Sequence, residues 1–302
     1  MEKKLNLDIP GKVSELEVLL NKVLPKNIIY RLVFGKGLEF DGYKDFTPDD
    51  DASLIDWKAT VRAKKILIKK YIEERDLKFV FVIDVSENMV FGSTEKLKCE
   101  YIAELSAALC HLILISGDRV GFVLFSDRIL KSYFPSSGTR QFDIFVQEIS
   151  EPYIYGRASD LNSVLEELTR TLDRTVSLVF IISDFVRMDA SYLKNLELFS
   201  GLFETVAVIV RDPLDKTLPS LNKEIIIEDT ESYEKLIINP RVAKNVYERN
   251  ALQQLNFVKE SFNNLGIDFL ELSTERSFAE DFAVFLKERI KKERKIKVEN
   301  VY

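Results

Sequence analysis

Residues 78–93 read KFVFVIDVSENMVFGS. An apolar run ends on a carboxylate, Asp84, and small oxygen-bearing side chains follow at alternate positions, Ser86 and Asn88. A run this apolar, without polar alternation, predicts a strand covered on both faces. Four more runs of the same kind follow: RVGFVLFS (119–126), SLVFIISD (177–184), TVAVIV (205–210) and IDFLELS (267–273). Helical periodicity covers about 95–116, 139–149, 160–173, 190–203, 241–265 and 277–295. In the third of these, Leu161, Val164, Leu165, Leu168 and Leu172 line one face. Strands and helices in alternation predict an α/β protein with a doubly wound, mostly parallel sheet of Rossmann-like type. RILKSYFP (128–135) reads as an edge strand returning through a hairpin.

The first quarter reads differently. Residues 12–24 form an amphipathic pattern, with Ser14 and Glu17 at capping-box spacing and Pro25 as a stop. IIYRLVFG (28–35) is strand-like, a polar stretch rich in Asp follows, and ILIKKYIEE (66–74) alternates as a strand does. The expected organisation is an N-terminal module at 1–76 and an α/β domain at 77–302, with an insertion at about 213–265.

Composition narrows the function. The chain has 302 residues, 46% of them hydrophobic and 30% charged, enough to bury a large core. A net charge of -6 disfavours nucleic acid and anionic membrane as partners. The basic tail LKERIKKERKIK reads as a solvated helix end rather than a binding patch. No apolar stretch reaches the roughly 20 residues that a membrane span needs. Cys99 and Cys110 fall in one helix, about 16 Å apart along its axis, too far for a disulfide. A reducing cytoplasm is the expected compartment.

In doubly wound sheets ligands bind beyond the carboxyl ends of the strands. Asp84 ends one strand, Ser183 and Asp184 end another, and Ser159 and Asp160 stand just before a helix. These segments are expected to converge on one rim. Their donors are all oxygen, which suits Mg²⁺ before Mn²⁺ or Ca²⁺ and does not suit zinc. The plainer alternative is that Asp84, Ser86 and Asn88 only cap the next helix. His111, the single histidine, lies in an apolar helical run and is expected in the core, which leaves no base for a serine or cysteine nucleophile. Neither a phosphate-binding loop nor a dinucleotide fingerprint is present.

Asp84 with Ser86 and Asn88, then Ser159, then Asp184 resemble the metal-ion-dependent adhesion site of von Willebrand factor A-type domains. That pattern is D-x-S-x-S, a Thr and an Asp, so Asn88 replaces the second Ser and Ser159 the Thr. Upstream, the segment GLEFDGYKDFTPDDDASLIDWKATVRAKKILIKK resembles the signature of the domain of unknown function 58 family. Gly37, Glu39, Phe40, Pro48, Asp50, Asp51, Ile55, Asp56, Trp57, Arg62 and Lys69 carry that likeness. The resemblance implies a non-enzymatic protein–protein interaction module. It also implies a MoxR-type AAA+ ATPase partner, an unknown client protein, and metal held by Asp84, Ser86, Asn88, Ser159 and Asp184.

The acidic tract around Asp50, Asp51 and Asp56 reads as a turn and structural knot, with Trp57 packed and Asp56 paired to Arg62 or Lys69. Two rivals stand beside the adhesion-type reading. One is Mg²⁺-dependent phosphoryl transfer with Asp84 as nucleophile, although Ser86 sits where a second Asp would serve as general acid. The other is a scaffold whose metal site has degenerated.

Overall fold

A computed structural model of the chain describes residues 5–23, 38–47, 50, 52–73, 77–219, 221–228 and 235–299. The apolar runs become the strands β3 (Lys78–Asp84), β4 (Arg119–Phe125), β6 (Leu178–Ser183), β7 (Thr205–Arg211) and β10 (Asp268–Ser273). With β5 (Ile129–Ser136) they form one six-stranded sheet in the order β10-β7-β6-β3-β4-β5. All neighbours run parallel except β5, which returns antiparallel along β4 at the edge, as expected for a hairpin edge strand. Gly121 marks the irregularity in that hairpin. A Cβ there would meet Tyr133 O at 2.7 Å and the Pro135 nitrogen at 2.8 Å.

Successive strand residues point to opposite faces, so each strand feeds two cores. Phe79, Phe81, Ile83, Phe122, Leu124, Phe180 and Ile182 face one side. There they pack against α1 (Ile9–Val23), α3 (Lys98–Ile115), α4 (Thr139–Ile149) and α8 (Phe278–Glu299). Val80, Val82, Val123, Phe125, Val179 and Ile181 face the other. Their cover is α5 (Leu161–Thr171), α6 (Leu193–Ser200) and α7 (Pro240–Asn264). Phe81 stacks on Phe180 at 5.1 Å and meets Phe145 edge-on at 5.7 Å. Each buried ring of this kind contributes about 2–3 kcal/mol.

Strand order places the switch point. From β3 the chain winds outward through β4 and β5, then crosses to β6 on the other flank of β3 and continues through β7 to β10. The crevice beyond the carboxyl ends of β3 and β6 is therefore where such a fold binds ligands.

Two smaller units complete the described residues. β1 (Leu38–Asp45) pairs antiparallel with β2 (Leu67–Glu73), and α2 (Trp57–Ala63) lies between them in sequence. β8 (Ile225–Glu228) and β9 (Lys235–Ile238) form a separate hairpin. Within the segment set aside as an insertion, α7 carries Leu255, Val258 and Phe262 into the second core. The strand expected at 28–35 lies outside the described residues.

Three expectations are corrected. The first helix begins at Ile9, so Ser14 and Glu17 sit inside it rather than at its cap. Asp8 does the capping: its carboxylate accepts from the Gly11 N–H at 3.1 Å and its carbonyl from Lys12 N–H at 3.0 Å. His111 is half-buried, not in the core, because its side of α3 faces α1. It lies 3.6 Å from Glu17 and edge-on to Phe142 at 5.1 Å. Trp57 is 67% exposed, since α2 is a seven-residue helix with no buried position to dock it.

Candidate functional site

Asp84, the last residue of β3, is 2% exposed. One carboxylate oxygen accepts the Ser86 N–H at 2.9 Å, which folds the chain into a tight turn after the strand. The other accepts the Ser183 hydroxyl from the end of β6 at 2.7 Å and the Ser159 hydroxyl at 3.5 Å. The three segments singled out in the sequence thus meet on one carboxylate at the switch point. Backbone bonds hold them there: Val85 N–H to Phe125 O at 2.8 Å, Glu87 N–H to Arg157 O at 2.7 Å and Asp160 N–H to Ser126 O at 2.9 Å.

Asn88 is half-buried on the 3₁₀ turn Glu87–Val90. Asp160 is a cap and not part of the rim contact, because its carboxylate accepts the Ser163 N–H at 3.0 Å and the Ser163 hydroxyl at 2.5 Å. Ser183 enters as a direct partner of Asp84. Its Oγ also accepts the Phe185 N–H at 3.2 Å. Phe185 itself holds φ 51°, a left-handed conformation that costs a bulky residue roughly 1–2 kcal/mol. That turn is secured by Gln254, which donates to Phe185 O at 2.7 Å, and by Phe262 edge-on at 5.1 Å.

Burial pushes the Asp84 carboxyl up to about 6, and the nearby Asp184 charge adds to the shift. Hydrogen bonds from Ser183 and Ser86 oppose both effects without cancelling them.

Asp184 is also buried, at 3% exposure, and it has a cation of its own. Lys98 Nζ lies 2.7 Å from Asp184 Oδ2 and 3.1 Å from Asp215 Oδ2. Val186 N–H donates to the other Asp184 oxygen at 3.0 Å. Burial disfavours the Lys98 charge, but Asp184 and Asp215 outweigh it and hold the ammonium above its ordinary pKa. Burial also raises Asp215, against the pull of Lys98. The two partners lean opposite ways; the short contacts to both carboxylates favour the ionised arrangement. Arg211, 3% exposed at the end of β7, adds a second buried cation and donates to Gln254 at 2.7 Å.

A further carboxylate ends β7. Asp212 is fully buried and accepts from Ser93 N–H at 2.7 Å, Ser93 hydroxyl at 2.5 Å, Leu214 N–H at 2.9 Å and Thr274 hydroxyl at 3.2 Å. Burial acts to raise its pKa, but those donors outweigh it and hold it low. Sequence reasoning passed over Lys98, Arg211, Asp212 and Asp215. The strand-end rule that found Asp84 and Asp184 applies equally to RDP at 211–213.

The acidic tract stands apart. Asp50 accepts from Lys44 at 2.6 Å and from Thr47 N–H at 2.9 Å. Asp56 caps α2 through Lys58 and Ala59 N–H, both at 3.0 Å, with Lys69 rather than Arg62 as its cation, at 3.6 Å. Asp51 lies outside the described residues. A cleft of 160 Å³ opens at the opposite end of the sheet, between β10 and α8, where Arg289 is neutralised by Glu204 and Asp268.

Against a hard cation, the rim's chemistry fits in kind. Its donors are oxygens, and Ser86 Oγ is buried without a well-formed hydrogen bond. The fit in charge is poor, because Lys98 already neutralises Asp184. Among the described residues no three His, Cys, Asp or Glu side chains converge as a metal cluster.

The fold is α/β, with a doubly wound, mostly parallel sheet and a rim of buried oxygens at its switch point. The chain belongs to the family described as "Protein of unknown function DUF58", whose model matches residues 42–256. It is 25% identical over 262 residues to Uncharacterized protein Rv1480 of Mycobacterium tuberculosis (strain ATCC 25618 / H37Rv), covering 85% of this chain and 81% of the relative. Among solved structures it is similar to the conserved hypothetical protein BatB from Bacteroides thetaiotaomicron, at 14% identity and TM-score 0.47, covering 72% of this chain and 99% of that one. A von Willebrand factor type A protein from Catenulispora acidiphila matches at 12% identity and TM-score 0.34, over 48% of this chain and 35% of that one. No helix among the described residues is long and apolar enough to cross a membrane.

Proposed function

We propose that the chain is a non-catalytic, cytoplasmic interaction module that docks partners through the β3–β6 rim. A divalent cation, Mg²⁺ or Mn²⁺, would be held there by Asp84, Ser86, Asn88, Ser159 and Asp184, and would accept a carboxylate from the partner. The partner class is a MoxR-type AAA+ ATPase acting with this chain on a further client protein. The observation that carries the reading is the meeting of Asp84, Ser86, Ser159 and Ser183 at the switch point. The phosphoryl-transfer rival is disfavoured, since both Asp84 oxygens are buried and hydrogen-bonded rather than presented to a substrate.

The test is co-purification of a MoxR-type ATPase from the same genome, co-expressed with the tagged chain. Retention is expected to fall several-fold with Asp84→Ala and with a chelator in the wash. An undiminished yield under both conditions overturns metal-bridged docking. Phosphatase and ATPase assays on the purified chain are expected to stay at background.

A further inference from the structure

Lys98 occupies an unusual place. It is the first residue of α3, where the helix dipole is positive and a cation is disfavoured. It is also 2% exposed, with its ammonium 5.6 Å from the centre of the Phe91 ring. A lysine is seldom buried this deeply unless paired. Here it has two acids, Asp184 at 2.7 Å and Asp215 at 3.1 Å.

The charges around the switch point are partly balanced without any metal. Asp84, Asp184, Asp212 and Asp215 are buried or mostly so, and the buried cations Lys98 and Arg211 stand among them. Two negative charges remain, but the cation nearest the rim already sits on Asp184. A divalent cation added to this set, with every side chain left in place, would bring two cations onto the same Asp184 carboxylate.

We infer that Lys98 is a tethered counter-ion that competes with a divalent cation for Asp184, with Asp215 as the carboxylate to which the lysine retreats. The second acid is what makes exchange feasible. An ammonium displaced from Asp184 stays paired at Asp215 instead of being stranded, and the site passes between a lysine-closed and a metal-open state. Lys98 thereby sets the affinity of the rim for metal, and through it the affinity for a partner's carboxylate. This inference rests on the metal reading proposed above, and it predicts opposite effects from two neighbouring substitutions.

Mn²⁺ titration by calorimetry, on the full chain and on Lys98→Met and Asp215→Asn, separates the possibilities. Lys98→Met is expected to bind Mn²⁺ at least tenfold more tightly than the wild type. Asp215→Asn, which removes the retreat, is expected to bind more weakly. Folded variants that both bind Mn²⁺ as the wild type does overturn the competition while leaving the metal site standing. Absence of binding in all three proteins overturns both. Should Lys98→Met fail to fold, the wild-type protein answers directly through the side-chain ¹H–¹⁵N signal of the Lys98 ammonium. That signal is expected to be exchange-protected in chelator and to move on addition of Mg²⁺. A signal unchanged by Mg²⁺ that demonstrably binds overturns the inference.

Discussion

Among the buried carboxylates that end parallel strands, two invite comparison. Asp84 closes β3 and Asp212 follows β7. Burial acts to raise both, but it acts harder on Asp84, which lies deeper; Asp84 is pushed up to about 6 while Asp212 is held low. The donors widen the difference. Asp212 collects two backbone N–H groups and two hydroxyls from three separate segments. Asp84 has one N–H and two hydroxyls, one of them at 3.5 Å, and must also face Asp184. Low accessibility alone does not say whether a carboxylate is a structural anchor or an unfinished site. Its depth and the completeness of its hydrogen bonding together do.

If that distinction is right, Asp212 is the more expensive residue to lose. Asp212→Ala would leave the buried Thr274 hydroxyl without its acceptor and would strip the Ser93 N–H, Ser93 hydroxyl and Leu214 N–H of theirs. The expected cost is about 2–3 kcal/mol at pH 7, read from urea denaturation. Because the folded pKa is depressed, this contribution is present above the ordinary aspartate range and is lost as pH falls through the folded value. The gap between wild type and variant should therefore narrow in acid. A loss below about 1 kcal/mol would mean that water replaces the acceptor, and Asp212 would then belong with the rim.

Asp84 should behave in the opposite sense. Its folded pKa, raised to about 6, lies above the unfolded value near 4. The folded protein binds the proton more tightly, so stability falls as pH rises from about 4 to about 6 and the penalty persists above that. In metal-free buffer Asp84→Asn is expected to stabilise the chain at pH 7.5, by at most about 3 kcal/mol less the lost charge-assisted bonds. At pH 4.5 the difference should largely close. A variant less stable than wild type at pH 7.5 would place Asp84 with Asp212 as an anchor.

The same contrast explains what could be read from the chain beforehand. The strands of the main sheet were legible because their side chains are buried on both faces, so the apolar runs are unbroken. β1 was not legible. LEFDGYKD is mostly polar, and its register shifts between Phe40 and Gly42, which destroys the alternation a reader would look for. Asp84, Ser86, Ser159 and Ser183 could be named because strand ends and small oxygens mark a rim. Lys98 could not, since a lysine in a helix's first turn ordinarily points to solvent, and only the packing of α3 against the ends of β6 and β7 buries it. Trp57 misled for the converse reason: an aromatic is expected in a core, but seven helical residues lack the area to make one.

Asp56 offers the smallest and most local test. Like Asp212 at the corner after β7, it accepts backbone N–H at a helix start, here from two successive residues. It also accepts from the Tyr43 hydroxyl at 3.0 Å and pairs with Lys69. Nothing in α2 is buried, however, so water can take over every bond that Asp56 gives up. Asp56→Ala is expected to speed amide exchange at Lys58 and Ala59 several-fold and to leave the global unfolding midpoint almost where it was. Should the whole transition instead move as far as it does in Asp212→Ala, the acidic tract and the main sheet would unfold as one cooperative unit. The cap would then be anchored through contacts to the sheet rather than through its own three hydrogen bonds.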